Sequence, residues 1–349
     1  MSVLQNEVRP KKRISPLQKK ETLAALGFIS PWIIGFFVFT FGPMIASLYL
    51  SLTEYDILRP PLYVGLDNYA KLFNDPKIAK SLYNSFFYAI LHVPLATIVA
   101  LALAMVLNSV PRRAAGFFRT AFYLPSITPS VAIGTLWLWL LNPRIGLINR
   151  GLELIGINGP NWIADPNWVK PGIVLMSLWS VGGTIIIYLA ALREVPKELY
   201  EASRIDGANN WKQFTKITLP MISGSIFFTL IVNTIASLQI FSEVYTMYFG
   251  QMNTSTGTDS ALFFVIYLFR QAFEFQNMGY ASAMAWVLFV IVMILTVIQM
   301  AFSKRWVYYE GGAAKRGYWE MRVRGDGPDS AHFTISSCPR SDASCCREE

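Results

Sequence analysis

Residues 195–220 read VPKELYEASRIDGANNWKQFTKITLP, a polar interval between two hydrophobic stretches that are each long enough to cross a bilayer. Glu198 to Ile205 carries good helix formers, and Pro196 stands near the start, where a missing N–H does no harm. Gly207 can take a positive φ, so we expect the first helix to end there. Asn209 to Lys216 can begin a second helix. The sequence therefore predicts a helix, a turn and a helix outside the bilayer, which together form a candidate docking surface.

Composition places the chain among membrane proteins. Of its 349 residues, 53% are hydrophobic and only 15% are charged, which is rare for a soluble domain of this size. Apolar runs of about twenty residues predict spanning helices. We predict six, at Ala24–Leu48, Phe86–Leu107, Ala121–Leu141, Gly172–Leu192, Met221–Ile240 and Ala281–Phe302.

The distribution of Lys and Arg predicts the orientation of these spans. Sixteen basic residues flank the spans on the side of the N-terminus and the 195–220 interval, counting only Lys304 and Arg305 after the sixth span, against eight on the other side. Both termini and the 195–220 interval are therefore predicted to be cytoplasmic. The net charge of +8 follows largely from this asymmetry, so it does not require a nucleic acid partner. The first apolar run is too long for the core of a signal peptide and is interpreted as a retained anchor.

The spacing of the 195–220 interval resembles the EAA loop of membrane subunits in binding-protein-dependent ABC importers. Glu201-Ala202-Ser203 is followed by three residues, Gly207, nine residues, and then Ile217-Thr218-Leu219-Pro220. Further stretches are similar to sugar-type permeases of the maltose and glycerol-phosphate class, in particular to the larger of their two permeases. These stretches are VGLDNYAKLFNDP at Val64–Pro76, which predicts a short amphipathic outer helix, YLPSITPS at Tyr123–Ser130, and NPRIGLINR at Asn142–Arg150.

The resemblance implies an all-α type I ABC importer fold with six transmembrane helices. Residues 24–309 would form the permease domain, after a basic cytoplasmic N-terminus at 1–23. The residues that it implies for coupling to an ATPase are Glu201, Ala202, Ser203, Gly207, Ile217, Leu219 and Pro220.

The implied partners are a second homologous permease, a cytoplasmic ATPase dimer and an extracytoplasmic solute-binding protein, in a bacterial or archaeal inner membrane. The chain contains no G-x-x-x-x-G-K-[S/T] phosphate loop. We therefore expect a transport subunit without enzymatic activity and without a cofactor, and we expect ATP and magnesium to be bound by the partner ATPase.

Polar residues on either side of the 195–220 interval predict the substrate path. Polar side chains in a spanning helix are costly unless they find partners or line an aqueous route. Hydroxyls and amides beside an aromatic ring suit a sugar, and the resemblance implies substrate contacts from the helices on either side of the interval. We therefore predict that the path is lined by Ser177, Trp179, Ser180, Asn233, Ser237 and Gln239. The alternative is that these residues hold helices together.

His92 and Pro94 are interpreted as a packing residue and a kink. Pro125 and Pro129 break hydrogen bonding at membrane depth, which places the third span towards the bundle interior.

Several alternatives stay open. The cargo could be another solute, and among carbohydrates a monosaccharide, an oligosaccharide, a uronate polymer and glycerol phosphate all suit such a path. An independent channel or secondary carrier would need no ATPase. A membrane-embedded enzyme lacks a catalytic constellation unless Glu243 has a partner. Residues 310–349 depart from the family's pattern and are predicted to be disordered; Cys338, Cys345, Cys346 and His332 lack the spacing of a zinc site.

Overall fold

The computed structural model describes residues 16–250, 259–303 and 306–307, and the long elements in these ranges are helices. The predicted tail at 310–349, and residues 1–15 of the predicted basic N-terminus, lie outside the described residues.

A long apolar helix begins the described chain. It comprises α1 (Pro16–Phe36), a π-helical segment (Phe37–Phe41) and α2 (Gly42–Ser51). Within it, Lys20–Ser51 is long and apolar enough to cross a membrane, and the most apolar part of it buries no residue against the rest of the protein. Of its three parts, α2 packs most closely on the main body, against the last helix that the structure describes.

A short outer segment joins this helix to the second span. Strands β1 (Thr53–Glu54) and β2 (Leu62–Tyr63) pair antiparallel and are followed by α3 (Asp67–Asn74). Helix α3 is the short amphipathic helix predicted at Val64–Pro76. Its buried Asn68 donates hydrogen bonds to the carbonyls of Ser51 and Thr53, so it is tied to the end of α2. Helix α4 (Pro76–Ser109) then starts on the side-chain cap of Asp75 and crosses the protein.

The third and fourth spans are broken rather than straight. Helices α5 (Arg112–Ile127) and α6 (Ser130–Leu140) meet at 100°, and α8 (Pro166–Trp179) and α9 (Gly182–Glu194) meet at 51°, with α7 (Leu147–Leu154) between the two pairs. Pro129 explains the first break, because it lacks an N–H and disfavours helical geometry at the residue before it. The single spans predicted at Ala121–Leu141 and Gly172–Leu192 therefore need correction: each is a bent pair that begins earlier in the sequence.

The 195–220 interval has the predicted helix–turn–helix form. Helix α10 (Lys197–Ile205) ends before Gly207, whose φ is +76°, and α11 (Asn210–Gln213) begins on the side-chain cap of Asn209. The second helix continues further than expected, through a π-helical segment (Phe214–Thr218) and α12 (Leu219–Met221) into the next span. The remaining elements are α13 (Ser223–Leu238), α14 (Ser242–Tyr248), α15 (Phe264–Phe269), a π-helical segment (Arg270–Glu274) and α16 (Met278–Ser303).

By length and composition, the described residues contain four to six candidate membrane spans. Four helices in the described ranges are long and apolar enough to cross a bilayer, and each bent pair adds one more if it forms a single span. Two buried apolar clusters hold the bundle together. In one, Ala96, Ala100 and Ala104 form a small-residue stripe on α4 that lets α9 approach closely. The other surrounds α8, α14 and the start of α16.

Candidate functional site

A cavity of about 450 Å³ opens among α4, α6, α8, α9, α13 and α14. Five of the six predicted path residues line it: Ser177, Ser180, Asn233, Ser237 and Gln239. Trp179 is not among the lining residues; its indole packs edge-on against Trp137, with ring centroids 5.9 Å apart. The structure thus brings together polar residues that lie more than fifty positions apart in the sequence.

Breaks in two spans position these side chains. Ser180 follows the last residue of α8, and Gln239 follows the last residue of α13, before α14 restarts the helix at Ser242. Interrupted helices leave backbone groups without their usual partners, which is tolerated at membrane depth where the backbone faces protein or a water-filled cavity. The breaks therefore explain why polar groups collect at this point.

Two hydrogen bonds link α4 to the cavity wall. Tyr88 donates from its hydroxyl to Ser177 Oγ at 2.8 Å, and Ser177 Oγ donates in turn to the carbonyl of Ile173. His92 Nδ1 lies 2.9 Å from Ser237 Oγ, and its ring stacks on that of Tyr88 with centroids 5.1 Å apart. His92 is thus the hydrogen-bonded packing residue that the sequence predicts, and it also lines the cavity.

Two side chains of the cavity have capacity left for a ligand. Asn233 has a buried Nδ2 that finds no hydrogen-bond acceptor among the described residues. Leaving such a donor unpaired costs about 1–3 kcal/mol. A solute oxygen that accepted a hydrogen bond from Asn233 Nδ2 would remove this cost. Glu243 is the one carboxylate in the described lining, which contains no Lys or Arg. The surface can therefore donate to and accept from hydroxyl groups, and it is not suited to neutralising an anion.

Sequence reasoning did not assign five polar lining residues to the path: Tyr88, His92, Thr184, Ser242 and Glu243. Tyr88 and His92 lie four residues apart, so they share one face of α4, and this spacing in an apolar helix was the available signal. Thr184 gave no signal beyond its position after a Gly-Gly pair. Glu243 lies at the predicted outer end of its span, and only the break at residues 239–241 directs it towards the cavity.

Metal-binding side chains do not cluster in the described residues. No set of three or more His, Cys, Asp or Glu side chains comes together in them to hold a metal ion. The three cysteines and His332 considered for zinc lie in the tail, outside those ranges.

The helix–turn–helix at residues 195–220 is braced from within. Gln213, which is buried, donates from Nε2 to Ser203 Oγ at 3.0 Å, and the hydroxyl of Tyr200 lies 2.8 Å from Thr218 Oγ1. Each bond joins the first helix to the second. The two short helices therefore form one unit, and Ser203 contributes to it directly.

The outer surface of this unit is exposed. Glu201, Ala202 and Gly207 face away from the protein, and the apolar side chains of Ile205 and Trp211 are 88% and 70% exposed. Ile217 instead packs against the cluster around α4 and α9. Leu219 is exposed and Pro220 is half-buried at the start of α12. Ile205 and Trp211 therefore form an exposed apolar tip on this unit.

Comparisons with known proteins agree with this geometry. A family model described as "Binding-protein-dependent transport system inner membrane component" matches residues 67–308. The probable ABC transporter permease protein YesP of Bacillus subtilis (strain 168) is 41% identical over 295 residues, covering 84% of this chain and 94% of the relative. The lactose transport system permease protein LacF of Rhizobium radiobacter is 34% identical over 277 residues, covering 78% of this chain and 91% of the relative.

A solved structure is also similar. A chain from the crystal structure of a bacterial ABC transporter involved in the import of the acidic polysaccharide alginate aligns with a TM-score of 0.72 at 25% sequence identity. The alignment covers 83% of this chain and 99% of that chain.

Proposed function

The chain belongs to the family of binding-protein-dependent transport system inner membrane components, and we propose that it forms the translocation path for a sugar or related polyol in an ATP-driven ABC importer. The cavity between the broken helices is the observation that carries the proposal. Its hydroxyl, amide and carboxylate groups match a solute dense in hydroxyls. The names of several relatives, including the lactose permease LacF, point to carbohydrate cargo.

Ser177, Ser180, Asn233, Ser237 and Gln239 would contact the solute in the cavity. Trp179 would contribute at the edge of the cavity, because this residue is 41% exposed and its ring packs against Trp137. Polar contacts that replace water around each hydroxyl keep the solute from losing hydrogen bonds as it enters the membrane.

The helix–turn–helix would couple the path to an ATPase. The surface formed by Glu201, Ala202 and Gly207 would seat in the ATPase, while Ser203, Ile217, Leu219 and Pro220 would hold that surface on the end of α13. Because Gln213 and Thr218 join the two helices, a push on the tip would be transmitted to the span that carries Asn233 and Ser237.

The full assembly would contain a second homologous permease, a cytoplasmic ATPase dimer and an extracytoplasmic solute-binding protein. This chain would cross the inner membrane six times, each bent pair counting as one span, with both termini and the coupling unit in the cytoplasm. ATP and magnesium would be held by the ATPase.

Affinity purification tests this assembly. The tagged chain is extracted from its native membrane in mild detergent, and the proteins that accompany it are identified by mass spectrometry. We expect an ATPase with a phosphate loop and a second permease. Recovery of this chain alone under gentle conditions would favour an independent channel or carrier. The solute-binding protein, once found, is assayed for sugar binding, which tests the carbohydrate cargo separately.

A further inference from the structure

A buried ammonium group lies where α4 and α8 meet. Lys170, in the second turn of α8, is only 9% exposed. Its Nζ donates to Asn84 Oδ1 at 3.1 Å and lies 5.1 Å and 4.9 Å from the ring centroids of Tyr83 and Phe87. An amide oxygen and two ring faces stabilise a cation, but none of them carries a negative charge. The positive charge of Lys170 therefore remains uncompensated by these partners.

A second lysine adds to this positive charge. Lys80 is exposed on α4, one turn before Tyr83 and Asn84, so it lies on the face of α4 that Lys170 contacts. Like charges at short range destabilise each other unless an anion joins them. In the ranges that the structure describes, neither lysine forms a salt bridge. The segment 251–258 contains no Asp or Glu, and the acidic residue that follows it, Asp259, accepts a hydrogen bond from Asn84 through its backbone carbonyl.

An exposed apolar stripe extends along α4 from this pair of lysines. Its members recur at helical spacing and share one face of the helix: Tyr83, Phe87, Ile90, Pro94 and Ile98. Tyr83 is 59% exposed, and Trp168 beside Lys170 on α8 is also exposed. Exposed Tyr and Trp are typical of the level of lipid headgroups. The two cations thus lie at the headgroup end of a lipid-compatible surface.

We propose that Lys170 and Lys80 bind the phosphate of an anionic phospholipid whose acyl chains lie along the exposed stripe of α4. Ammonium groups form charge-assisted hydrogen bonds with phosphate oxygens, and basic residues at the membrane surface attract anionic lipids. The bound lipid also stabilises a part of the structure beyond the two lysines. Asn84 also donates to the carbonyls of Asp259 and Leu262, so the lipid fixes the segment that leads into α15.

Lipid-dependent thermal stability tests the proposal. The full-length chain, purified with the subunits that accompany it, is stripped of lipid in neutral detergent. Phosphatidylglycerol, phosphatidylcholine with the same acyl chains, or inorganic phosphate is then added, and Tm is measured. We expect phosphatidylglycerol alone to raise Tm, because a ligand that binds only the folded state stabilises it. Lys170→Gln and Lys80→Gln should each lose this shift, whereas Lys71→Gln, an exposed lysine on α3, should keep it.

The controls distinguish an anionic-lipid site from a folding defect, a general lipid effect and a free-anion site. Lys80 is exposed, so Lys80→Gln remains informative if Lys170→Gln fails to fold. An equal shift with phosphatidylcholine, or a shift that persists in Lys80→Gln, would overturn the proposal. The same holds if the wild-type protein shows no shift. An equal rise in Tm with inorganic phosphate would also overturn the proposal, because the site would then bind a free anion rather than a lipid. Mass spectrometry of the intact complex should find phosphatidylglycerol retained by the wild type and lost from Lys80→Gln.

Discussion

At the scale of single residues, the cavity depends on groups that the bundle leaves unpaired. Asn233 is the clearest of these, because its buried Nδ2 has no acceptor in the described part of the chain. The hydroxyl of its neighbour Thr234 already has a partner, because it accepts a hydrogen bond from Gln299 Nε2 at 2.9 Å. Adjacent residues on one helix therefore differ in role: one supports the packing of α13 on α16, and the other is available to a solute.

Replacing Asn233 should weaken transport without weakening the fold. In Asn233→Ala the solute loses a hydrogen bond worth about 1 kcal/mol, so uptake at low solute concentration should fall about fivefold. The measurement is uptake of the sugar that the co-purifying binding protein recognises. Val232→Ala, on the exposed side of α13, should transport normally. Equal losses in both variants would mean that the defect is structural.

Substitutions at Gly207 test whether the helix–turn–helix at residues 195–220 needs the positive φ of its turn. Its φ of +76° is strained for any β-branched residue, and a Cβ there would meet nothing within 4 Å, so the strain is conformational rather than steric crowding. We expect Gly207→Val to reduce uptake while the complex still inserts and hydrolyses ATP. Gly207→Asn should retain uptake, because Asn tolerates this conformation. Normal uptake by the Val variant would count against this turn as part of the coupling unit.

At the scale of elements, the sequence predicts regions that repeat a local pattern and misses breaks that depend on packing. The turn at Gly207 and the start of a second helix at Asn209 are local signals, and both are found. The break between Trp179 and Gly182 is not visible in the sequence, since Ser-Val-Gly-Gly is compatible with a continuous spanning helix. The structure explains it by contact, because Gly182 lies directly against the backbone of α5 at Phe122 and Tyr123.

This contact makes Gly182 sensitive to a single methyl group. A Cβ at residue 182 would collide with the carbonyl oxygen of Phe122 and lie 2.9 Å from Tyr123 Cα. Backbone atoms cannot move aside cheaply, so Gly182→Ala should destabilise the protein by about 1–3 kcal/mol. Gly183→Ala is the matched control, because a Cβ at the next residue meets nothing within 4 Å. Unfolding monitored by tryptophan fluorescence should show a lower Tm for the first variant only.

At the scale of the whole molecule, hydrogen bonds between distant residues assemble the site, and these are what the sequence alone could not predict. Ser177, Ser180, Asn233 and Ser237 were identifiable because they are polar and flank the 195–220 interval, as substrate contacts do in the family that the chain resembles. Their meeting in one cavity depends on pairs such as His92 with Ser237, which are 145 positions apart, and Asn84 with Leu262, which are 178 apart. No periodicity in the sequence encodes such pairs.

Asp75 links α15 and α16 to the start of α4 on the predicted outer side. Its Oδ2 accepts hydrogen bonds from Tyr267 at 2.6 Å and from Tyr280 at 3.0 Å, and Gln271 donates to Tyr267 at 2.8 Å. Burial alone would raise the pKa of Asp75. Hydrogen bonds from Tyr267, Tyr280 and the Lys77 N–H, with the charge of Lys77, outweigh burial and lower that pKa below its ordinary value of 3.8. Burial and the bond to Asp75 raise the pKa of Tyr267 to about 12.

The lowered pKa sets the direction of a pH effect. A carboxyl whose pKa is lower in the folded state stabilises the fold fully above its unfolded pKa, and this contribution is lost as pH falls through the folded pKa. Asp75→Asn should therefore lower Tm at neutral pH, and the difference from wild type should shrink as pH drops below about 4. Asp67→Asn, which removes an exposed carboxylate on α3, should cause a smaller loss at neutral pH. A difference between wild type and Asp75→Asn that stayed constant down to pH 3 would mean that Asp75 acts by shape alone, and that its charge does not hold α15 and α16 to the start of α4.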